Sequence, residues 1–294
     1  MIDNQERLEL HIPVQAQGNT AVSLLAGASG LSHQAIKQAM VNGAVWLSRG
    51  SDTRRLRRAK RPLVIGDELH LYYDRGIQAT RPRPARLIAD EGAYSVWFKP
   101  SGMYSQGSRW GDHCTVCRWS ERQLQRTSFP VHRLDRAASG LILIAHSRQM
   151  ARELSKLFEQ RQVKKTYLAL VAGAFSLPVG SLLSSDIDGK SARTFVSLRC
   201  YDASTDTSIL KVEIETGRKH QIRRHLAECG FPIIGDRLFG GPLDAPLGDE
   251  LNLEPTLDLQ LCAWQLAFNE PETGEQKAYT ASDSLLPPAL VTQS

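Results

Sequence analysis

Residues 131–145 read VHRLDRAASGLILIA, and this stretch sets a charged cluster directly before an apolar run. The run has the length and composition of a buried strand. We therefore expect His132, Arg133, Asp135 and Arg136 close to the start of that strand. A carboxylate between two arginines should be ionised, which suits nucleophilic attack or proton abstraction. An ordinary Asp–Arg pair in a surface turn explains the same residues equally well.

The elements around this stretch favour an α+β fold. Strands are predicted at residues 94–98, 164–171, 194–198 and 208–214, helices at 147–160 and 219–229, and a hairpin across residues 269–275. There are too few regular β-α-β alternations for a doubly wound parallel sheet. We therefore expect a mixed, largely antiparallel sheet flanked by helices in a domain that spans residues 89–294.

The first 74 residues read as a separate, small α/β unit. A strand at 8–14, helices at 20–26 and 32–41, and the strands AVWL and ELHLYY follow one another. Residues 75–88 then contain two prolines, four arginines and no apolar periodicity. Because the residue before a proline avoids the helical region, this segment is predicted to be an extended linker.

Basic residues are concentrated in the small unit. The chain has a net charge of +5 and a pI of about 9.0, which is weak evidence by itself. Seven basic residues against one acid, Asp52, lie between positions 49 and 61: Arg49, Arg54, Arg55, Arg57, Arg58, Lys60 and Arg61. Such a run is neutralised well by RNA phosphates, although a solvated loop is the alternative. We predict that the last six of these residues bind RNA.

A second basic cluster, TGRKHQIRRHLAECG, occupies residues 216–230. Gly217 permits a tight turn, and the positive charge lies near the start of the predicted helix. His220 and Arg223 are three residues apart and can share a helix face. Arg223 is thus a candidate partner for an ionised carboxylate, with phosphate contact or a solvated helix face as the alternatives.

Four segments resemble the motifs of the RluA-type pseudouridine synthases, and they follow the family's order. They are WFKPSGMYSQ, HRLDRAASGLILIA, VKKTYLALVAG and TGRKHQIRRHLAECGFPIIGDRLFG, which together cover most of residues 94–240. The family often has a threonine where this chain has Ala138. More weakly, residues 1–74 are similar to a small RNA-binding module named after a ribosomal small-subunit protein, through LSHQAIKQAMVNGAVWL and PLVIGDELHLYY.

The resemblance implies roles for individual residues. Asp135 would be the essential catalytic carboxylate, Arg223 would hold it in place, and Tyr167 would contact the uracil ring and take the proton from carbon 5. The spacing of residues does not decide between two roles for Tyr167, which could be a core residue or could stack on a base. Arg133, together with Arg218, His220 and the basic run, would contact RNA. The implied activity is isomerisation of a uridine in structured RNA, with ribosomal RNA favoured over transfer RNA.

Several function classes are disfavoured by what the sequence lacks. Five scattered cysteines do not form a disulfide framework, and the first residues do not form a secretory signal. No run approaches the roughly 18 apolar residues of a membrane helix. We expect a cytoplasmic monomer with RNA as its partner and no membrane association.

No cofactor or metal is predicted. His113, Cys114 and Cys117 lie close together, but a structural zinc site needs four ligands and no second pair has useful spacing. The glycine-rich motifs for nucleotide cofactors are also missing.

Two other functions compete with the isomerase. A non-catalytic RNA-binding or ribosome-assembly protein fits the basic run equally well but has no need for Asp135, Tyr167 and Arg223 together. An RNA hydrolase that uses Asp135 would change the mass of the RNA, whereas isomerisation would not.

Overall fold

The computed structural model describes residues 7–240 and 258–291 of the 294-residue chain. The chain divides into two compact units. Unit 1 combines Met1–Pro82 with Gln106–Gln125, and unit 2 combines Arg83–Ser105 with Arg126–Ser294. Almost all of the segment 241–258, for which the sequence predicts no role, lies outside the described residues, as do the first six residues of the predicted N-terminal module.

Unit 1 is built from a four-stranded antiparallel sheet in the order β1-β4-β2-β3. Its elements are β1 (Arg7–Pro13), α1 (Ala21–Ser29), α2 (His33–Val41), β2 (Val45–Arg49), β3 (Asp52–Arg55), β4 (Glu68–Asp74), α3 (Arg75–Ala79) and α4 (Val116–Leu124). Thr20 and Ser32 accept hydrogen bonds from backbone N–H groups of the first turns of α1 and α2, which fixes where these helices begin.

Alternation along the strands gives the sheet of unit 1 one apolar face. Leu69 and Leu71 of β4 are fully buried and share a core with Leu25 of α1 and Met40 of α2. The intervening residues of β1 and β4 point to the opposite face. Unit 1 thus combines helices and strands around a core of its own, while the predicted bounds of the small module and its RNA binding stay predictions.

Two parts of the chain differ from the expected organisation. Residues 75–79 form the short helix α3 rather than extended chain, because the side chain of Asp74 accepts a hydrogen bond from the N–H of Ile77 and caps the turn. The prolines downstream keep residues 80–85 non-helical up to the next strand. The second difference is the segment Gln106–Gln125 with α4, which groups with unit 1 although the sequence assigned it to the larger domain.

Unit 2 contains one large mixed sheet. Its strands are β5 (Arg86–Asp90), β6 (Tyr94–Lys99), β7 (Phe129–Pro130), β8 (Ser139–Ala145), β9 (Lys164–Ala172), β10 (Ser181–Leu183), β11 (Thr194–Asp202), β12 (Thr207–Ile214), β13 (Leu261–Asn269) and β14 (Gln276–Thr280). The main order is β10-β11-β12-β9-β13-β8-β6-β5, with β14 paired to β13 and β7 to β8. All of these pairs are antiparallel except β8 with β13.

The centre of this sheet is buried, with helices α5 (Arg148–Glu159) and α6 (Gln221–Glu228) beside it. Every residue of β6 and β8 is buried, as the continuous apolar run predicted for β8. Met150 and Leu154 of α5 belong to the same core. The predicted α+β class, the β13–β14 hairpin and the largely antiparallel sheet are confirmed. Among the described residues, no helix has the length and apolar character needed to cross a bilayer.

Candidate active site

Asp135 lies in the loop between β7 and β8, and hydrogen bonds hold this loop on both sides of it. The hydroxyl of Ser105 donates to the carbonyl of Leu134 at 2.8 Å and accepts from its N–H at 3.0 Å. On the other side, the N–H of Gly102 donates to the carbonyl of Arg136 at 2.8 Å. The backbone that carries Asp135 is therefore fixed relative to the chain after β6.

The buried side chain of Lys99, at the end of β6, supports the same loop. Its Nζ donates to the carbonyls of Pro100 and Met103, each at 3.0 Å, and also contacts the carbonyls of Arg136 and Ala138. Burial lowers the pKa of Lys99 to about 7, whereas the nearby Asp135 favours the protonated form. The surrounding carbonyl oxygens also favour an ammonium, since it has three hydrogens to donate.

Gly140 lets β8 approach β13 closely. Its φ is 117°, and a Cβ at this position would lie 2.3 Å from the carbonyl oxygen of Ala263. Because β8 and β13 pair in parallel at this point, the Asp135 loop enters the sheet beside the start of β13. Any side chain at position 140 would push the two strands apart.

Arg223, on α6, connects Asp135 to a second carboxylate. Its Nη1 donates to Oδ2 of Asp135 at 3.3 Å, while Nε and Nη2 donate to the two oxygens of Asp236, each at 2.7 Å. The side chain of Asp236 is fully buried and that of Arg223 is 5% exposed, whereas that of Asp135 is 27% exposed. The bidentate pair therefore fixes the guanidinium in place, and Asp135 faces solvent beside it.

The arginine that hydrogen-bonds Asp135 is Arg223, the candidate partner that the sequence suggested. The adjacent Arg136 lies over the ring of Tyr104 at 5.0 Å. The imidazole Nε2 of His220 is 3.7 Å from the other oxygen of Asp135. Burial lowers the pKa of His220, and Asp135 opposes that shift.

Tyr167 lies on β9, between its partners on β12 and β13, and lines the same cleft as Asp135. Burial, with a smaller contribution from the charge of Asp135, raises the pKa of Tyr167 well above that of an exposed tyrosine. At neutral pH its hydroxyl is therefore protonated. The hydroxyl is suited to contacting a bound ring, but it is not a ready base in the unbound protein.

The cleft has a volume of about 750 Å³. Besides Asp135 and Tyr167 it is lined by basic side chains: Arg133, Arg161, Lys165, Arg218 and Lys219. The volume is within the usual range for pockets that bind small molecules. Two of the residues predicted to bind RNA, Arg133 and Arg218, thus share one opening with the two predicted catalytic residues.

His132 has a structural role in this cleft. Its ring stacks on Phe158 with centroids 4.2 Å apart, and its Nε2 accepts the N–H of Leu143 at 3.0 Å. Burial, aided by the charge of Lys165, lowers the pKa of His132 to about 3. A neutral imidazole that is already bonded to β8 is not available as a general acid.

Two arginines of the basic run form ion pairs and hydrogen bonds within unit 1. Both Arg55 and Arg57 form ion pairs with Asp112, and Arg55 also donates to the carbonyl of Ser108 at 3.0 Å. Exposed members of the run are Arg54, Arg58 and Lys60, with Arg61 half-buried. Arg54 pairs with Asp52 at 2.9 Å in an open position. The contribution of these residues to RNA binding stays a prediction, and the exposed ones are best placed for it.

Two residues that support the site were not identified from the sequence. Asp236 lies within IIGDRLFG and Lys99 within WFKPSGM, so both occur in segments whose resemblance to the family had been noticed. The available signal was a charged residue beside a glycine or proline in an otherwise apolar stretch. Local sequence did not reveal either role, because the guanidinium that pairs with Asp236 comes from α6 and two of the carbonyls that Lys99 contacts belong to the Asp135 loop.

Comparison with known proteins gives a family match. Residues 93–228 match the model of a family described as RNA pseudouridylate synthase. The chain is 32% identical to the dual-specificity RNA pseudouridine synthase RluA of Pasteurella multocida, with 69% of this chain and 93% of the relative covered. It is 36% identical to the tRNA pseudouridine synthase C of Yersinia pestis, with 66% and 84% covered.

A solved structure shares the fold. Human RNA pseudouridylate synthase domain containing 4 superposes with a TM-score of 0.56 at 21% identity, and the match covers 70% of this chain and 90% of the human one.

Proposed function

The chain belongs to the RluA-type RNA pseudouridine synthases, and on that premise we propose that Asp135 is the essential carboxylate with which it isomerises a uridine in RNA. The observation that carries the proposal is the position of Asp135, partly exposed in the cleft and hydrogen-bonded to Arg223. A carboxylate held by a fixed guanidinium keeps one orientation, as a nucleophile or base requires.

The reaction sets three demands on the site. The bond between N1 of uracil and C1′ of ribose must break, the detached ring must turn, and a bond between C5 and C1′ must form, while C5 loses a proton and N1 gains one. A uridine stacked in a helix exposes none of these atoms, so it must be flipped into a pocket. A closed, dry pocket would retain the detached uracil and exclude hydrolysis.

The cleft contains side chains suited to these demands. Asp135 is the group for attack on the ring or the sugar, or for removal of a ribose proton. Arg223 is a positioning residue that holds Asp135. Tyr167 contacts the uracil ring through a neutral hydroxyl, and its raised pKa argues against a tyrosinate that waits for the C5 proton.

We propose that the flanking RNA follows the basic edge of the cleft, with Arg133, Arg218 and His220 near the flipped nucleotide. Phosphate contacts of this kind position a strand without reading its sequence. The substrate is structured RNA. Ribosomal RNA is favoured by the resemblance of residues 1–74 to a ribosomal-protein module, while a relative named for transfer RNA makes that RNA the second candidate.

The deciding experiment uses purified protein with ribosomal and transfer RNA from cells that lack it. Pseudouridine is mapped at single-nucleotide resolution, and RNA mass is measured in parallel. The proposal predicts new pseudouridine at a defined position, unchanged RNA mass, and neither effect with Asp135→Asn. Binding without pseudouridine would favour a non-catalytic RNA-binding protein, and loss of a base or strand cleavage would favour a hydrolase.

A further inference from the structure

Two histidines of unit 1 face each other across neighbouring strands. His11 on β1 is directly opposite His70 on β4, and their Nδ1 atoms are 2.7 Å apart. Both lie on the face of the sheet opposite the core that Leu10 and Leu71 help to form. Because 58 residues separate the two histidines in sequence, only the register of β1 with β4 reveals the pair.

The remaining nitrogen of each ring is already held by another group. Nε2 of His11 lies 3.3 Å from a carboxylate oxygen of Glu9, and Nε2 of His70 lies 2.7 Å from the hydroxyl of Ser48. Histidines that ligate metals are usually oriented in this way, with one ring nitrogen on a carboxylate, carbonyl or other polar group and the second on the ion. The arrangement leaves the two Nδ1 atoms directed at one another.

A carboxylate completes a set of three ligands. Glu68 precedes His70 by two residues on the same face of β4, and one ligand atom from each of His11, Glu68 and His70 lies within 4.8 Å of the others. We infer that these three residues bind a divalent transition-metal ion such as Zn²⁺, which links β1 to β4. Water would fill the remaining position on the exposed side.

The two imidazole rings need only a small adjustment to admit an ion, and the carboxylate of Glu68, whose Oε2 lies 3.9 Å from Nε2 of His70, must turn towards their Nδ1 atoms. Two nitrogens that bind Zn²⁺ at tetrahedral angles are about 3.3 Å apart, so the rings must separate by about 0.6 Å. His11 is 44% exposed and Glu68 is 47% exposed, which leaves both free to move, while His70 at 11% is fixed by Ser48. Imidazole and carboxylate ligands favour Zn²⁺, Ni²⁺ or Cu²⁺ over the hard ions Mg²⁺ and Ca²⁺.

This site is distinct from the residues that the sequence first raised as metal ligands. Among the residues that the structure describes, His113, Cys114 and Cys117 are not brought together as a three-ligand group, and Nε2 of His113 is 3.2 Å from the carbonyl of Thr80. The proposed ion lies in unit 1 and takes no part in the isomerisation. Removal of metal by EDTA is therefore expected to leave pseudouridine formation intact.

The test is a titration of the full-length, metal-stripped protein with Zn²⁺, followed by calorimetry, with Co²⁺ as a spectroscopic probe. We expect the parent to bind one ion per chain and to show the visible absorption of histidine-bound Co²⁺. The variants His11→Ala and His70→Gln should not bind the ion. His33→Ala is the matched control, because His33 is an exposed histidine of the same unit outside the cluster. Equal Zn²⁺ affinity in the parent and His11→Ala would overturn the inference, as would the absence of binding in the parent.

A second variant separates metal binding from folding. Ser48→Ala removes the hydroxyl that orients His70 and that also contacts the hydroxyl of Thr53, so it should weaken Zn²⁺ binding about 10–100-fold while the backbone pairing of the strands is kept. The midpoint of thermal unfolding should rise with Zn²⁺ in the parent and in His33→Ala, and Mg²⁺ should have no effect. If Zn²⁺ raises the midpoint of His11→Ala by the same amount, the ion binds elsewhere and the assignment is wrong.

Discussion

Arg223 and Asp236 form two parallel hydrogen bonds of 2.7 Å in the interior of unit 2. This pair fixes the position of the guanidinium that hydrogen-bonds Asp135. With Nε and Nη2 committed to Asp236, the guanidinium presents Nη1 to Asp135 at 3.3 Å. Asp236 is in turn held by the backbone N–H groups of Leu238 and Phe239. Asp135, the proposed catalytic carboxylate, is thus positioned by a chain of contacts that ends in a backbone turn.

Asp135→Asn is expected to abolish pseudouridine formation while RNA affinity stays within a few-fold of the parent. Asparagine keeps the size of the side chain and a hydrogen-bond acceptor for Arg223, but it loses the charge and the nucleophilic oxygen. Turnover is measured under single-turnover conditions with excess enzyme, and affinity by filter binding. Measurable turnover by the purified variant would remove Asp135 from its proposed role.

Asp236→Asn should lower both stability and turnover, although Asp236 does not line the Asp135–Tyr167 cleft. Loss of one partner from a buried ion pair leaves the other charge uncompensated, at a cost of ~3–5 kcal/mol in the free energy of unfolding. Asp188→Asn is the control, because Asp188 pairs with the neighbouring Arg224 on the surface. At a temperature where the variant is folded, turnover should still be reduced. Full turnover per folded molecule would show that Arg223 needs no second carboxylate.

Tyr167→Phe should reduce turnover far more than it reduces the midpoint of thermal unfolding. Phenylalanine retains the packing of the ring between β12 and β13 and removes only the hydroxyl. Since the pKa of Tyr167 is raised, turnover should not increase as pH rises towards the ordinary tyrosine value of about 10. A lower midpoint of thermal unfolding with unchanged turnover per folded molecule would mean that the hydroxyl of Tyr167 serves only the fold.

His132 should make stability fall in acid. Its folded-state pKa is about 3, and its unfolded-state value is about 6.5. Between these values the unfolded chain binds a proton that the folded protein does not, so stability falls as pH drops from about 6.5 towards 3. Chemical unfolding of the parent and His132→Gln across this range tests the effect. The variant should be less stable at pH 7 but have a flatter pH dependence, and parallel curves would contradict the assignment.

The sequence was most informative where chemistry and local pattern coincide. The apolar run after Asp135 identified β8 and therefore the position of the loop that carries Asp135, and the helices α5 and α6 were also predicted. Contacts that depend on tertiary packing were not predictable. Asp236 reaches Arg223 only because the chain turns back after α6, and His11 meets His70 only through strand register. Helix α4 was missed, and nothing local to it indicates that it groups with unit 1.

The basic run should supply RNA affinity without choosing the modified uridine, and its members should not contribute equally. Arg55 and Arg57 are engaged by Asp112 and by backbone carbonyls, whereas Arg54, Arg58 and Lys60 are exposed. On single strands, each phosphate contact contributes about −0.7 to the slope of log affinity against log salt. Replacement of the three exposed residues by serine should therefore flatten that slope by up to about 2, leave the unfolding midpoint unchanged, and keep the same uridine as the product site.

The matched variant, Arg55→Ser with Arg57→Ser, separates phosphate binding from internal packing. It should lower the unfolding midpoint, because the half-buried Asp112 loses both of its arginine partners, and it should change the salt slope less than the exposed triple variant does. Affinity is measured across a salt series, and the product site is mapped with saturating RNA, where turnover should recover. A larger slope change in the double variant would mean that these two arginines leave Asp112 to bind RNA. A shifted product site in the triple variant would mean that the basic run also takes part in selecting the uridine, since contacts to the backbone alone carry little sequence information.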